Sequence, residues 1–210
     1  MPKPTLQIII ASTRPGRVGP SVAAWINERA VSHGAFDVEL IDLAEVSLPM
    51  FDEPKHPRFG EYVHEHTRAW SATIARGDAF ILVLPEYNYG LNAAIKNAID
   101  YLNAEWRYKP VGFASYGGVA AGTRSVQMLK QVSTVLKMVP LSEVVHIPFV
   151  HQIPRQRAPP SAERGHGAGR DRDARRAGQV DGGAAAAAGT GRLDRPRHAR
   201  DVAAFGGRRE

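Results

Sequence analysis

Apolar positions along the first 150 residues of this 210-residue chain follow two alternating rhythms. Residues 5–11 are a short β-branched run without strict alternation, which predicts a strand buried on both faces. Pro20 then opens a helix, where its missing N–H costs nothing. Val22, Trp25, Ile26 and Ala30 keep helical spacing, and Gly34 stops the helix. Residues 36–43 alternate as a second strand, and the proline-rich stretch 44–60 reads as a loop. Val63, Thr67, Trp70 and Ile74 mark the next helix. Residues 78–84 form the strongest apolar run and stop at Pro85. Leu91, Ile95, Ala98, Ile99 and Leu102 line one side of a further helix. Residues 111–116 are a fourth strand, and 122–137 a helix that Val139-Pro140 ends. Residues 143–150 are a fifth strand. Strands alternating with helices predict an α/β fold with right-handed βαβ crossovers and a mainly parallel sheet. Such a sheet binds ligands beyond the carboxyl ends of its strands.

Three loops at those ends have unusual composition. The first, residues 12–21, joins strand one to helix one and holds Ser12, Thr13, Arg14, Arg17, Gly19 and Ser21. Free backbone N–H groups at the helix start, hydroxyls and guanidinium forks suit a phosphate. The same residues also suit an ordinary βα loop with exposed arginines. Gly16 and Gly19 lack both the Walker and the G-x-G-x-x-G spacing, which argues against a dinucleotide-binding Rossmann site. The second loop, Pro85-Glu86-Tyr87-Asn88-Tyr89-Gly90, follows the strongest strand. Its flat tyrosines suit the wall of a planar ring, or a turn with two packed tyrosines. Glu86 ends a buried strand, where a carboxylate needs a partner. The third loop runs from Ser115 through Tyr116, Gly117 and Gly118 to Gly122, with Arg124 just inside the next helix. Paired glycines let a backbone approach a ligand closely.

Composition changes this picture in one respect. Residues 1–153 carry 14 basic and 14 acidic side chains, and residues 154–210 carry 13 arginines, no lysine and 7 acidic residues. The whole +6 charge therefore belongs to the tail. The neutral first part has no bulk attraction to nucleic acid or to a membrane. No cysteine is present, so thiol nucleophiles, disulfides and thiolate metal sites are excluded. The N-terminus lacks signal-peptide anatomy and no apolar run is long enough to span a bilayer, so a cytoplasmic protein is expected.

The three loops, in this order and on these elements, resemble the NADPH-dependent FMN reductase family of flavodoxin-like proteins. The likeness is closest at 85–90 followed by 95–102, and it covers residues 5 to about 153. It implies a flavodoxin-like three-layer sandwich with a five-stranded parallel sheet of order 2-1-3-4-5. It implies FMN as cofactor and NAD(P)H as hydride donor in a ping-pong reaction. A flavin, quinone, azo compound or similar small molecule would be the acceptor, and the protein a homodimer or homotetramer. Ser12, Thr13, Arg14, Arg17, Val18, Gly19 and Ser21 would hold the phosphate. Pro85, Glu86, Tyr87, Asn88 and Tyr89 would lie against the ring, and Ser115, Tyr116, Gly117 and Gly118 would flank it. The flavin carries the chemistry, so no catalytic acid or base and no metal is expected. Leu91-Asn92 departs from the family, where a proline or small residue is usual. A flavin-binding electron carrier is the alternative activity.

The resemblance also implies a final amphipathic helix, which the tail does not provide. Arg, Ala, Gly and Pro make up 40 of its 57 residues. A disordered segment is expected, and three origins compete: an arginine-rich arm for nucleic acid, an inert extension, or a wrong-frame product, the reading its codon-biased composition favours. Without a last helix, one sheet face would be poorly covered. Other signals are discounted. His64 and His66 sit two apart, so on a helix they would face different sides. His56 and His151 read as loop or surface residues. Trp25 and Trp70 read as core packing, and Trp106 and Tyr108 as residues that pack at a subunit interface or cap the site, the interface being preferred.

Overall fold

The structure, a computed structural model, describes residues 2–152. The tail and the expectations attached to it lie outside the described residues. Five strands, β1 (Thr5–Ile10), β2 (Asp37–Asp42), β3 (Ala79–Pro85), β4 (Pro110–Tyr116) and β5 (Val139–Ile147), form one parallel sheet of order β2-β1-β3-β4-β5. That order and the helical layers are the flavodoxin-like arrangement expected. Five helices join the strands: α1 (Gly19–His33), the single turn α2 (Leu43–Val46), α3 (Glu65–Ala75), α4 (Ala93–Asp100) and α5 (Thr123–Val135). None is long and apolar enough to cross a membrane.

The central strands are apolar on both sides, as their unbroken runs require. Ile9, Leu82 and Phe113 face α3, α4 and α5, while Ile8, Val83 and Ala114 face α1. Trp70, Trp106 and Phe80 meet edge to face in the larger core. The Trp70 indole donates to Ala98 O at 2.8 Å and that of Trp106 to Ile99 O at 3.2 Å. These carbonyls belong to the last turn of α4, where helical partners run out. Trp106 is thus fully buried, not an interface residue, because its N–H closes a helix end.

Three further expectations are corrected. Trp25 is 39% exposed: the buried stripe of α1 is Gly19, Val22, Ala23 and Ile26, and Trp25 stands at its margin. Residues 44–60 are not wholly loop, since Leu43–Val46 and the 3-10 turn Pro57–Phe59 are ordered by side-chain caps from Asp42 and His56. Val139-Pro140 does not end α5 but begins β5. The helix stops at Val135, and Lys137 turns the chain at φ 59°.

Among the described residues α1 alone covers its side of the sheet. A groove of about 430 Å³ remains between Ile26 and Phe36, over Ile81, Gly112, Leu141 and Val145.

Candidate functional site

The first loop ends β1 and starts α1, whose first turn holds no acidic residue and no side-chain cap. Its N–H groups and the helix dipole therefore lie open to an anion. Ser12 is fully buried, and its hydroxyl and that of buried Tyr116 are neighbours with no other partner among the described residues. Burial pushes the Tyr116 phenol up to about 12, an effect the neighbouring Ser12 hydroxyl offsets only in part. Both groups stay neutral donors at ordinary pH. Gly19 makes this crowding possible, since a Cβ there would lie 2.9 Å from Tyr116 OH and 3.0 Å from Ile10 Cγ2.

The two arginines of the loop behave differently. Arg14 is exposed, with no ion-pair partner among the described residues. Arg17 pairs with Asp42 at the end of β2, and its Nε is buried with no partner. Thr13 is exposed, and Ser21 is half-buried with its backbone N–H on Val18 O.

The second loop is a two-residue hairpin. Tyr87 N donates to Gly90 O and Gly90 N to Tyr87 O, at 3.1 and 3.0 Å. Asn88 and Tyr89 both have positive φ, 49° and 68°, as a type I′ turn requires. That conformation suits asparagine and is strained for tyrosine. Glu86 finds the partner it needs in Arg124: Nη1 donates to Oε1 at 2.7 Å, and the Arg124 backbone N–H to Oε2 at 3.2 Å. The same guanidinium lies 4.0 Å over the Tyr89 ring.

The third loop is braced from within. The Ser115 hydroxyl donates to Ala121 O at 2.9 Å and pairs with His146 Nδ1 at 2.7 Å. Gly117 and Gly118 carbonyls accept from Val150 and Phe149 N–H groups, so the chain after β5 is laced to this loop.

A cradle of about 200 Å³ brings the three loops together. Arg14 and Val18 line it from the first, Pro85, Glu86 and Tyr87 from the second, and Tyr116 and Gly117 from the third. Ser115 is turned inward, and Asn88, Tyr89 and Gly118 sit on exposed surface outside it. Val150 and His151 also line it. His151 is exposed, as expected of a surface histidine, and the return of the chain after β5 sets it at the rim of the cradle. Asn92 was taken for a family departure alone. It is buried, and its Nδ2 donates 2.6 Å to Ala11 O, tying the first and second loops, while its Oδ1 has no partner.

His64 and His66 do share a side. His64 caps α3 in extended conformation, outside the helix, so the rings stack at 5.1 Å. His64 Nε2 meets Asp52 O, and His66 Nε2 meets Asp52 Oδ1, which also accepts from Tyr101 OH at 3.0 Å. Their Nε2 atoms hold the loop that carries Asp52.

Residues 4–152 match the family model for NADPH-dependent FMN reductase. The chain is 42% identical over 137 residues to the NAD(P)H-dependent FMN reductase C4B3.06c of Schizosaccharomyces pombe, covering 64% of this chain and 68% of that one. It is 35% identical over 150 residues to the NAD(P)H-dependent FMN reductase ntnL of a Nectria species, covering 69% and 75%. Among solved structures it resembles the flavoenzyme FerB, an NAD(P)H:(acceptor) oxidoreductase of Paracoccus denitrificans, with TM-score 0.53 and 21% identity over 67% of this chain and 78% of that one. At that identity the likeness concerns the fold.

Proposed function

Because the chain belongs to the NADPH-dependent FMN reductase family, we propose that it is an FMN-dependent NAD(P)H oxidoreductase working by a ping-pong cycle on a small quinone, azo or flavin acceptor. Relatives named as an FMN-dependent NADPH-azoreductase and an NADPH:quinone oxidoreductase support that acceptor class. The observation that carries the reading is the pair of buried, neighbouring hydroxyls of Ser12 and Tyr116, which have no partner but each other at the open start of α1. Buried polar groups normally find partners, and a phosphate monoester supplies acceptors for both.

The residues fit the flavin nucleotide. Ser12, Thr13, Arg14, the free Nε of Arg17, Ser21 and the N–H groups after Val18 would hold its phosphate, with Gly19 permitting close approach. Pro85, Glu86, Tyr87 and Asn88 would lie against the ring, and Tyr116 to Gly118 across from them. FMN held there would supply the hydride and electron-transfer chemistry that links NAD(P)H to the acceptor. The chain's own work is to orient the ring, exclude water from one side and keep the Glu86 carboxylate paired with Arg124. No side chain of the cradle is needed as a catalytic acid or base. Exposed Phe51 and Val135, which line one groove, favour a self-associating protein.

The test is direct. Purified protein with added FMN should bind it and bleach in the visible flavin band on anaerobic addition of NADPH. Binding without bleaching would indicate an electron carrier, and absence of binding would remove both readings.

A further inference from the structure

We propose that Tyr89 and Arg124 form a docking platform, beside but outside the flavin cradle, for a planar ring that carries phosphate. The inference rests on reading the cradle as a flavin site. Tyr89 is 71% exposed, yet one face of its ring is covered by the Arg124 guanidinium at 4.0 Å. The other face is therefore open to solvent. A large aromatic ring held on a strained positive-φ backbone, at the tip of a turn that would accept glycine without cost, is an unusual use of tyrosine. Such strain persists where the surroundings hold it and gathers at ligand-binding positions.

Arg124 explains how it is held and what it recognises. Glu86 fixes Nη1 and the backbone N–H. The guanidinium carries five N–H donors, and the remainder have no partner among the described residues. A ring stacked on the open face of Tyr89 can extend its phosphate round the edge of that ring to those donors. Neutral quinones stack but gain nothing from the guanidinium. The pairing of a flat face with spare cationic donors selects nucleotides. Two sources share that chemistry: the dinucleotide reductant and a free flavin mononucleotide serving as acceptor. Because Glu86 both lines the cradle and holds Arg124, the platform is anchored at the flavin's edge.

Full-length, FMN-loaded protein is compared with Tyr89→Leu, Tyr89→Phe and Arg124→Gln. KM is measured for NADPH and NADH with a neutral benzoquinone as acceptor, and for free FMN with NADPH saturating. Loss of one stacked ring should raise KM about tenfold in Tyr89→Leu, with Tyr89→Phe close to the parent. A rise for NADPH and NADH assigns the platform to the reductant, and a rise for free FMN alone assigns it to the acceptor. Calorimetric titration with adenosine 2′,5′-bisphosphate, which needs no flavin chemistry, should rank the variants alike, with Arg124→Gln weakest. Unchanged KM values in Tyr89→Leu, or a rise matched by an equal rise in the Kd of the bound flavin, would overturn the proposal. A parent protein that binds no FMN overturns the cradle reading instead, and the bisphosphate titration then still decides the platform.

Discussion

The side-chain amide of Asn92 donates a hydrogen bond to the carbonyl of Ala11, 2.6 Å away and 81 residues earlier. It fastens the loop that would cup the phosphate to the one that would face the ring. Asn92→Ala leaves a buried carbonyl unpaired, at a cost of about 1–3 kcal/mol. We expect FMN affinity to fall about tenfold, while far-UV dichroism stays that of the parent. Fluorescence titration of FMN checks this, and an unchanged Kd would show that the tether does not position the loops.

Gly19 is closely hemmed in at the start of α1. A methyl group there would collide with the Ser12 and Tyr116 hydroxyls and press on Ile10. Gly19→Ala should destabilise the protein by about 1–3 kcal/mol through overpacking and abolish measurable FMN binding. Retained binding at parental affinity would contradict the placement of the phosphate.

Glu53 links acidity to folding. Burial raises its pKa, but the Thr67 hydroxyl and the N–H groups of Val63 and His64 outweigh that and hold it below the ordinary 4.5. Those N–H bonds, 2.9 and 3.1 Å, start helix α3. A depressed carboxyl contributes stability that is whole above the ordinary value and lost as pH falls through the folded one. Glu53→Gln should therefore cost about 1–3 kcal/mol near pH 7 and flatten the acid limb of the stability curve. Urea titrations from pH 3 to 7 would reveal a limb that is no flatter, if the account is wrong.

The strain at Tyr89 predicts a gain. Tyr89→Gly gives the type I′ turn a residue suited to φ 68°, while removing a cation–π contact of about 0.5–1 kcal/mol. A positive-φ tyrosine costs about 1–3 kcal/mol, so the variant should melt higher than the parent. A lower Tm would mean that the stack outweighs the strain.

Every residue assigned to the cradle lies between Ser12 and His151. A chain truncated after Gln152 should bind FMN as the full chain does, by titration. A large loss would bring the tail into the site.

The sequence was informative where the signal is local. Uninterrupted apolar runs announced the central strands, and Gly34 marked a helix end that the structure caps at φ 75°. The three loops could be found because parallel sheets put their binding loops at one edge. What escaped was set by contacts distant in sequence. Trp25 and Trp106 have the same composition cue, but only the sheet decides that one stands at a margin and the other closes a helix end. Asn92, Val150 and His151 join the site through tethers that no spacing encodes. Arg17 resembled Arg14 until Asp42 arrived from the end of a neighbouring strand.

That last pairing bears on how the site responds to its surroundings. With Asp42 beside it, Arg17 offers a phosphate a directed N–H but almost no net charge. The start of α1 and the hydroxyls of Ser12 and Tyr116 are dipoles as well. Dissolved salt shields exposed charges over about 8–10 Å, yet it screens buried groups much less. Of the groups placed on the phosphate, exposed Arg14 is then the one that salt would weaken, so rising ionic strength should loosen the nucleotide only by the share of that single charge.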